Sequence, residues 1–174
     1  GHYLHAHREG CRFLDRLYKV AIPEKADIVI TTPGGFPKDI NLYQAQKALD
    51  NAKHAVRDGG IIILLASCSE GYGERVFERW INASDSPDSL IESIRSNFEL
   101  GGHKAAAIAL VEKKARVFIV SDLDPCMCRR IYMEPFGSMQ EALDCAFSVM
   151  GQDARVLLMP HGGSTLPVVE QAGA

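Results

Sequence analysis

The sequence has no apolar run close to the roughly 20 residues that a bilayer-spanning helix needs. Its opening, Gly1-His2-Tyr3-Leu4-His5-Ala6-His7, has neither the basic nor the apolar region of a secretion signal. No membrane partner is expected. Charge of one sign is also missing: 19 Lys and Arg stand against 22 Asp and Glu, a formal net charge of −3. Lys113–Lys114 and Arg129–Arg130 are the only basic doublets, so the basic face that a polynucleotide requires is absent and no nucleic-acid partner is expected. The five cysteines, Cys11, Cys68, Cys126, Cys128 and Cys145, are odd in number and irregular in spacing. They do not read as a disulfide framework, and free thiols suit a reducing, cytoplasmic setting. Cys126-Met127-Cys128 is the one close pair; a zinc knuckle wants two intervening residues and a second pair, so no metal site is expected here. Gly1, in place of an initiating Met, reads either as a scar of the chain's preparation or as a cut within a longer protein.

What is present suits one globular domain. The chain has 174 residues, 47% apolar and 24% charged, enough for a single core and short for two. Leu4 to Tyr18 recurs near helical period, so residues 1–20 read as an N-terminal helix or interdomain linker and 21–174 as one α/β domain. Ala26–Thr31 reads as a buried strand and Ile61–Ala66 as the clearest one. Further strands are expected at Ala115–Ser121 and Arg155–Met159. Between them, Asp39 is placed to cap a long helix running to about Val56, stopped by Asp58-Gly59-Gly60. Helices are expected around Glu74–Ile81, from Ser86-Pro87 with Ser as cap, at His103–Glu112, and from a Ser138–Glu141 capping box to Met150. Alternating strands and helices imply a Rossmann-like three-layer sandwich with a mainly parallel sheet. Such sheets bind ligands beyond the carboxyl ends of their strands. Four stretches fall there: Thr32–Lys38, Ser67–Gly73, Ser121–Pro125 and Pro160–Thr165.

The most informative text is Gly34-Gly35-Phe36-Pro37-Lys38-Asp39-Ile40-Asn41-Leu42-Tyr43-Gln44-Ala45-Gln46-Lys47-Ala48-Leu49. Leu42, Ala45, Leu49, Ala52 and Val56 form the apolar stripe of its helix. Gln44 and Lys47, three apart, share the polar face, with Asn41 one turn before and Asn51 one turn after. A Lys, a Gln and helix N-terminal amides behind a Gly-rich loop could hold an anion. A polar stripe opposite a core stripe is equally the look of any surface helix. Gly34–Gly35 belongs to neither a GxGxxG fingerprint nor a P-loop, which argues against a dinucleotide.

This segment resembles the signature of the nickel-pincer-dependent lactate (2-hydroxyacid) racemase family, in its C-terminal domain. The similarity continues through Gly59-Gly60-Ile61-Ile62-Ile63-Leu64, Ser69-Glu70-Gly71, Gly101-Gly102-His103-Lys104-Ala105 and the closing strand with Pro160. The resemblance implies a substrate-closing domain of a racemase or epimerase, an isomerase working by hydride transfer through a keto acid. It implies that Tyr43, Gln44 and Lys47 contact a small 2-hydroxy acid. It also implies a nickel-pincer nucleotide tethered in an N-terminal domain that supplies the nickel ligand and the His acid/base pair. No segment here matches those groups, so the chain alone is expected to hold no cofactor, to contribute no catalytic residue and to be inactive. The alternative is a Rossmann-like small-anion or nucleotide-binding module without catalysis of its own.

Other residues on the expected ligand edge are less specific. Gly34, Gly35, His103 and His161 are candidates for the pocket edge, although His103 reads equally as a helix-start hydrogen-bonder. Cys68, just past the best strand, sits where a nucleophile could stand, but no base can be assigned to it. His54 reads as solvated, and His2, His5 and His7 carry no assigned role.

Overall fold

A computed structural model describes residues 1–170. Five parallel strands form the central sheet in the order β5-β4-β3-β2-β6: β2 (Ala26–Thr31), β3 (Val56–Leu65), β4 (Arg116–Val120), β5 (Glu134–Phe136) and β6 (Val156–Met159). The three central strands are apolar almost throughout because helices cover both faces. Ile28, Ile30, Ile61, Ile63 and Phe118 point to one face and meet Ala142 and Ala146 of α7 (Met139–Met150). Val29, Ile62, Leu64, Val117 and Ile119 point to the other. That face is covered by α2 (Leu42–Ala52), α3 (Arg75–Ala83), α4 (Pro87–Ser96) and α5 (Gly102–Glu112), while α6 (Pro125–Arg130) leads into β5. The architecture is the Rossmann-like three-layer sandwich expected from the alternation of elements.

Two short strands, β1 (Lys19–Ile22) and β7 (Leu166–Val169), form a separate parallel pair. Their half-exposed residues have no strong alternation, so the sequence does not announce them. Helix α1 (Tyr3–Tyr18) precedes them and buries none of its residues in this chain. No helix among the described residues is long and apolar enough to cross a membrane.

Three local expectations need correction. Asn41, not Asp39, caps α2: its side chain accepts from the Gln44 amide at 3.0 Å. The helix ends at Ala52 rather than Val56, and Val56 is the buried first residue of β3. Residues Asp58-Gly59-Gly60 therefore lie inside a strand. They sit where the register with β2 shifts, between the Ala26–Val56 and Ile28–Ile61 pairs, and the bulge accommodates the turn chemistry that read as a stop. At α7, Ser138 caps the Glu141 amide, but Glu141 returns its carboxylate to the Gly137 amide at 3.1 Å, one residue short of a reciprocal box. The Ser86-Pro87 start of α4 is as expected, with Ser86 bonded to the Ser89 amide and Pro87 at the first helical position.

Candidate functional site

Helix α2 leaves the carboxyl end of β2 through the loop Thr32–Asp39, and its first turn is bound on every side. The Leu42 amide donates to Gly71 O at 3.0 Å, the Tyr43 amide to Tyr72 O at 3.1 Å and the Gln44 amide to the Asn41 side chain. These bonds use the N–H groups that a helix start would otherwise offer to an anion. The helix-amide part of the anion reading is thereby removed; any recognition must come from side chains. Gly73 permits this arrangement. It has a φ of +83°, and a Cβ built on it would come within 2.1 Å of Asn41 Cγ.

The polar face of α2 separates into two kinds of residue. Asn41 is consumed as the cap, and Asn51 is turned to Gly162 O at 2.6 Å, fastening the loop after β6 onto the helix. Gln44 and Lys47 stay unconsumed by the fold. Lys47 Nζ donates to Gln44 Oε1 at 3.0 Å. Lys has no acceptor and one lone pair of the Gln oxygen is engaged, so the pair is rich in N–H donors. Tyr43, in the same turn, packs its ring edge-on against Phe77 at 5.6 Å between centroids.

A fourth residue joins them from α5. Lys104 Nζ lies 3.8 Å from the Tyr43 ring centroid and donates to Tyr43 O at 2.6 Å. Burial, and after it the nearby Lys47 ammonium, pulls the Lys104 amine down to about 8. Sequence reasoning passes over this lysine. The signal is present in Gly101-Gly102-His103-Lys104, but the two elements lie 61 residues apart and nothing local joins them.

The remaining candidates lie elsewhere on the edge. Gly34 approaches His161 closely: a Cβ there would stand 3.3 Å from His161 Nδ1 and 3.8 Å from Lys38 Nζ. Gly35 closes a turn by accepting from the Lys38 amide at 2.8 Å. His161 is exposed, in the loop that packs Gly162 between Thr31 and Ala48. His103 accepts from the Gly101 amide at 3.1 Å and tilts against Phe98, a local helix-start role. Cys68 is buried, and burial, with the Asp39 carboxylate behind it, pushes its thiol up to about 12. A thiol held protonated is a poor nucleophile. His54 is exposed, at the far end of α2. Among the described residues no three His, Cys, Asp or Glu side chains gather into a metal-binding group.

The donor face thus sits where a parallel sheet places its ligands, and it is built on the segment that carries the family resemblance. Residues 22–167 match the family model of the lactate racemase C-terminal domain. The chain belongs to that family. The domain is similar to the lactate racemase of Thermoanaerobacterium thermosaccharolyticum, 32% identical over 171 residues, covering 95% of this chain and 40% of that protein. It is similar to the lactate racemase of Lactiplantibacillus plantarum at 33% over 162 residues, 90% of this chain and 38% of that one. The solved structure of the lactate racemase apoprotein from T. thermosaccharolyticum superposes with a TM-score of 0.85 at 32% identity, over 95% of this chain and 40% of its own. A Thermotoga maritima protein, 14% identical with a TM-score of 0.64 over 97% of this chain and 43% of its own, shares the fold alone. The chain spans about two fifths of the length of these curated relatives.

Proposed function

We propose that this lactate racemase C-terminal domain is the substrate-holding half of a 2-hydroxyacid racemase or epimerase. The observation that carries the reading is the donor-rich face of Gln44 and Lys47, bonded to each other and to no other side chain among the described residues, on the ligand edge of the sheet. The substrate carboxylate would lie across Lys47 Nζ and the Gln44 amide, with the Tyr43 hydroxyl beside them. Lys47 supplies charge and Gln44 supplies direction. A carboxylate anchored at two points fixes the adjacent Cα, the carbon whose configuration must invert, against a catalytic surface.

That surface belongs to the rest of the protein on this reading. Among the described residues no three His, Cys, Asp or Glu side chains gather into a ligand set for the nickel of the nickel-pincer nucleotide that the family implies. Hydride transfer and acid/base catalysis are assigned to an N-terminal domain closing on the strand-end loops. Helix α1 would pack against that domain, since none of its residues is buried among the described residues. Gly34, Gly35, His103 and His161 would line the rim of the closed site, where small residues let a partner backbone approach.

The test is racemisation by the complete protein. A single enantiomer of lactate is supplied, and appearance of the other is followed by chiral chromatography in the wild type and in Lys47→Ala. Racemisation by the wild type that collapses in the variant is the expected result. A wild type inert towards every 2-hydroxy acid tried would overturn the reading and leave a small-anion-binding module.

A further inference from the structure

Lys47 and Lys104 make an unusual pair. Both border the Tyr43–Gln44 turn, they are close enough for one charge to weaken proton binding by the other, and neither joins an ion pair among the described residues. Of the acids on the elements packed around α5, Glu78 of α3 and Glu92 of α4 join no ion pair or side-chain hydrogen bond among the described residues and do not shift Lys104, and the others are committed elsewhere. Glu74 accepts the Val76 and Phe77 amides at the start of α3, and Glu99, in the loop before α5, takes Arg79 and the Trp80 indole. Asp88 of α4 pairs with Lys113, and Glu134 of β5 with Arg116 of β4. His103, on the same helix as Lys104, is turned to the Gly101 amide. The ionisable groups that act on Lys104 are Tyr43, whose ring lies under its ammonium, and Lys47, both of α2.

Two neighbouring ammoniums, one of them half-buried, cost free energy unless an anion joins them. A single carboxylate has two oxygens, and Lys47 with the Gln44 amide offers donors enough for both. Lys104 uses one N–H on Tyr43 O and keeps two more, and its charge, met only by the Tyr43 ring face, would have no anionic partner in a monoacid held by Lys47. We propose that Lys104 is a specificity-determining residue that reads a second acidic group on the substrate, so that this protein acts on a 2-hydroxy diacid in preference to a 2-hydroxy monoacid. The reaction named here rests on the racemase reading above; the paired-cation anion site does not.

The experiment uses the complete, cofactor-loaded protein as wild type, Lys104→Met and Lys104→Arg. Turnover is measured on 2-hydroxysuccinate and on lactate. Binding is measured by calorimetry with malonate and acetate, which lack the reacting hydroxyl, in buffers of differing ionisation enthalpy. Met keeps an unbranched stem over the Tyr43 ring, and a melting curve checks the fold. The wild type should favour the diacid. Lys104→Met should lower kcat/KM for the diacid about 10- to 100-fold more than for the monoacid, and Lys104→Arg should restore most of the preference. Near the Lys104 value of about 8, malonate should bind with uptake of about half a proton, because a dianion raises the lysine back towards its ordinary range. Lys104→Met should abolish that uptake. A wild type that prefers lactate overturns the proposal. So does a diacid-to-monoacid ratio that Lys104→Met leaves within about threefold. If no hydroxy acid is racemised but malonate still binds with Lys104-dependent proton uptake, the racemase reading fails and Lys104 keeps its role in reading a diacid.

Discussion

The two ends of α5 place a base and an acid at opposite edges of the same sheet, and the fold treats them differently. At the carboxyl edge Lys104 is half-buried beside a second ammonium, with N–H donors to spare. At the amino edge Glu112 is half-buried near the start of β4, with its Oε1 sealed from solvent. Its Oε1 meets no hydrogen-bond partner, and burial pushes its carboxyl up to about 9 against the pull of the Val117 backbone. The acid escapes its predicament by keeping a proton, which leaves it neutral near pH 7. The base does so only in part, since an amine at about 8 remains mostly charged at pH 7. Desolvation alone does not mark a functional group. What separates the two ends is the company: Lys104 shares its site with Lys47 and unused donors, whereas Glu112 has no second ionisable group joined to it.

The largest expected effect comes from removing the carboxyl-edge charge that reaches into solution. Lys47→Ala in the complete protein should lower kcat/KM about 10- to 150-fold, the loss of one charge-assisted hydrogen bond of roughly 1.5–3 kcal/mol. Its melting temperature should hardly move, because Lys47 lies off the buried stripe of Leu42, Ala45 and Leu49. Activity within about threefold of wild type would make Lys47 an ordinary surface lysine and remove the contrast between the edges.

Next comes the scaffold of that edge. Gly73→Ala places a side chain at a left-handed φ and into Asn41. It should cost the α2 cap, about 0.5–2 kcal/mol, and a further 1–2 kcal/mol or so of backbone strain. Urea unfolding would show the lowered midpoint; an unchanged midpoint would mean that α2 does not depend on its tight entry.

The amino edge is tested by pH. Folded Glu112 holds its proton up to about 9, while the unfolded carboxyl releases it near the ordinary value of 4.5. The native state therefore binds more protons in that interval, and stability drains as pH rises across it. Glu112→Gln cannot ionise, so its melting temperature should gain on the wild type progressively from pH 4.5 to pH 9. A difference that is the same at both ends of the range would show that burial of this carboxyl carries no such linkage.

The smallest effect should be Gln44→Ala, a neutral hydrogen bond of about 0.5–1.5 kcal/mol, or roughly 2- to 13-fold in kcat/KM. A loss equal to that of Lys47→Ala would shift the burden of recognition from charge to geometry.

Elements whose signals are local are legible in the sequence itself. Ser86-Pro87 opens α4 as expected, because cap and first-turn proline act on adjacent backbone. Ala26–Thr31 and the Ile61–Leu64 run are central strands because an unbroken apolar run has to be covered on both faces. The pairing of Gln44 with Lys47 follows from helical spacing, and the structure joins them by a hydrogen bond.

What the sequence could not decide was how distant segments terminate, cap and charge one another. Asn41 rather than Asp39 begins α2 because Gly71 and Tyr72, some 30 residues on, bring carbonyls to the first amides and leave one side chain the place of the cap. Asp58-Gly59-Gly60 became strand rather than stop because β2 supplies partners on both sides of a bulge. The apparent amide anion site vanished for the same reason, its donors taken by a loop that local pattern cannot see. Lys104 entered the site only when α5 packed across α2. Periodicity and capping chemistry act over a few residues and are written in the chain; burial, and the electrostatic field of one lysine on another, exist only where tertiary packing has brought the two together.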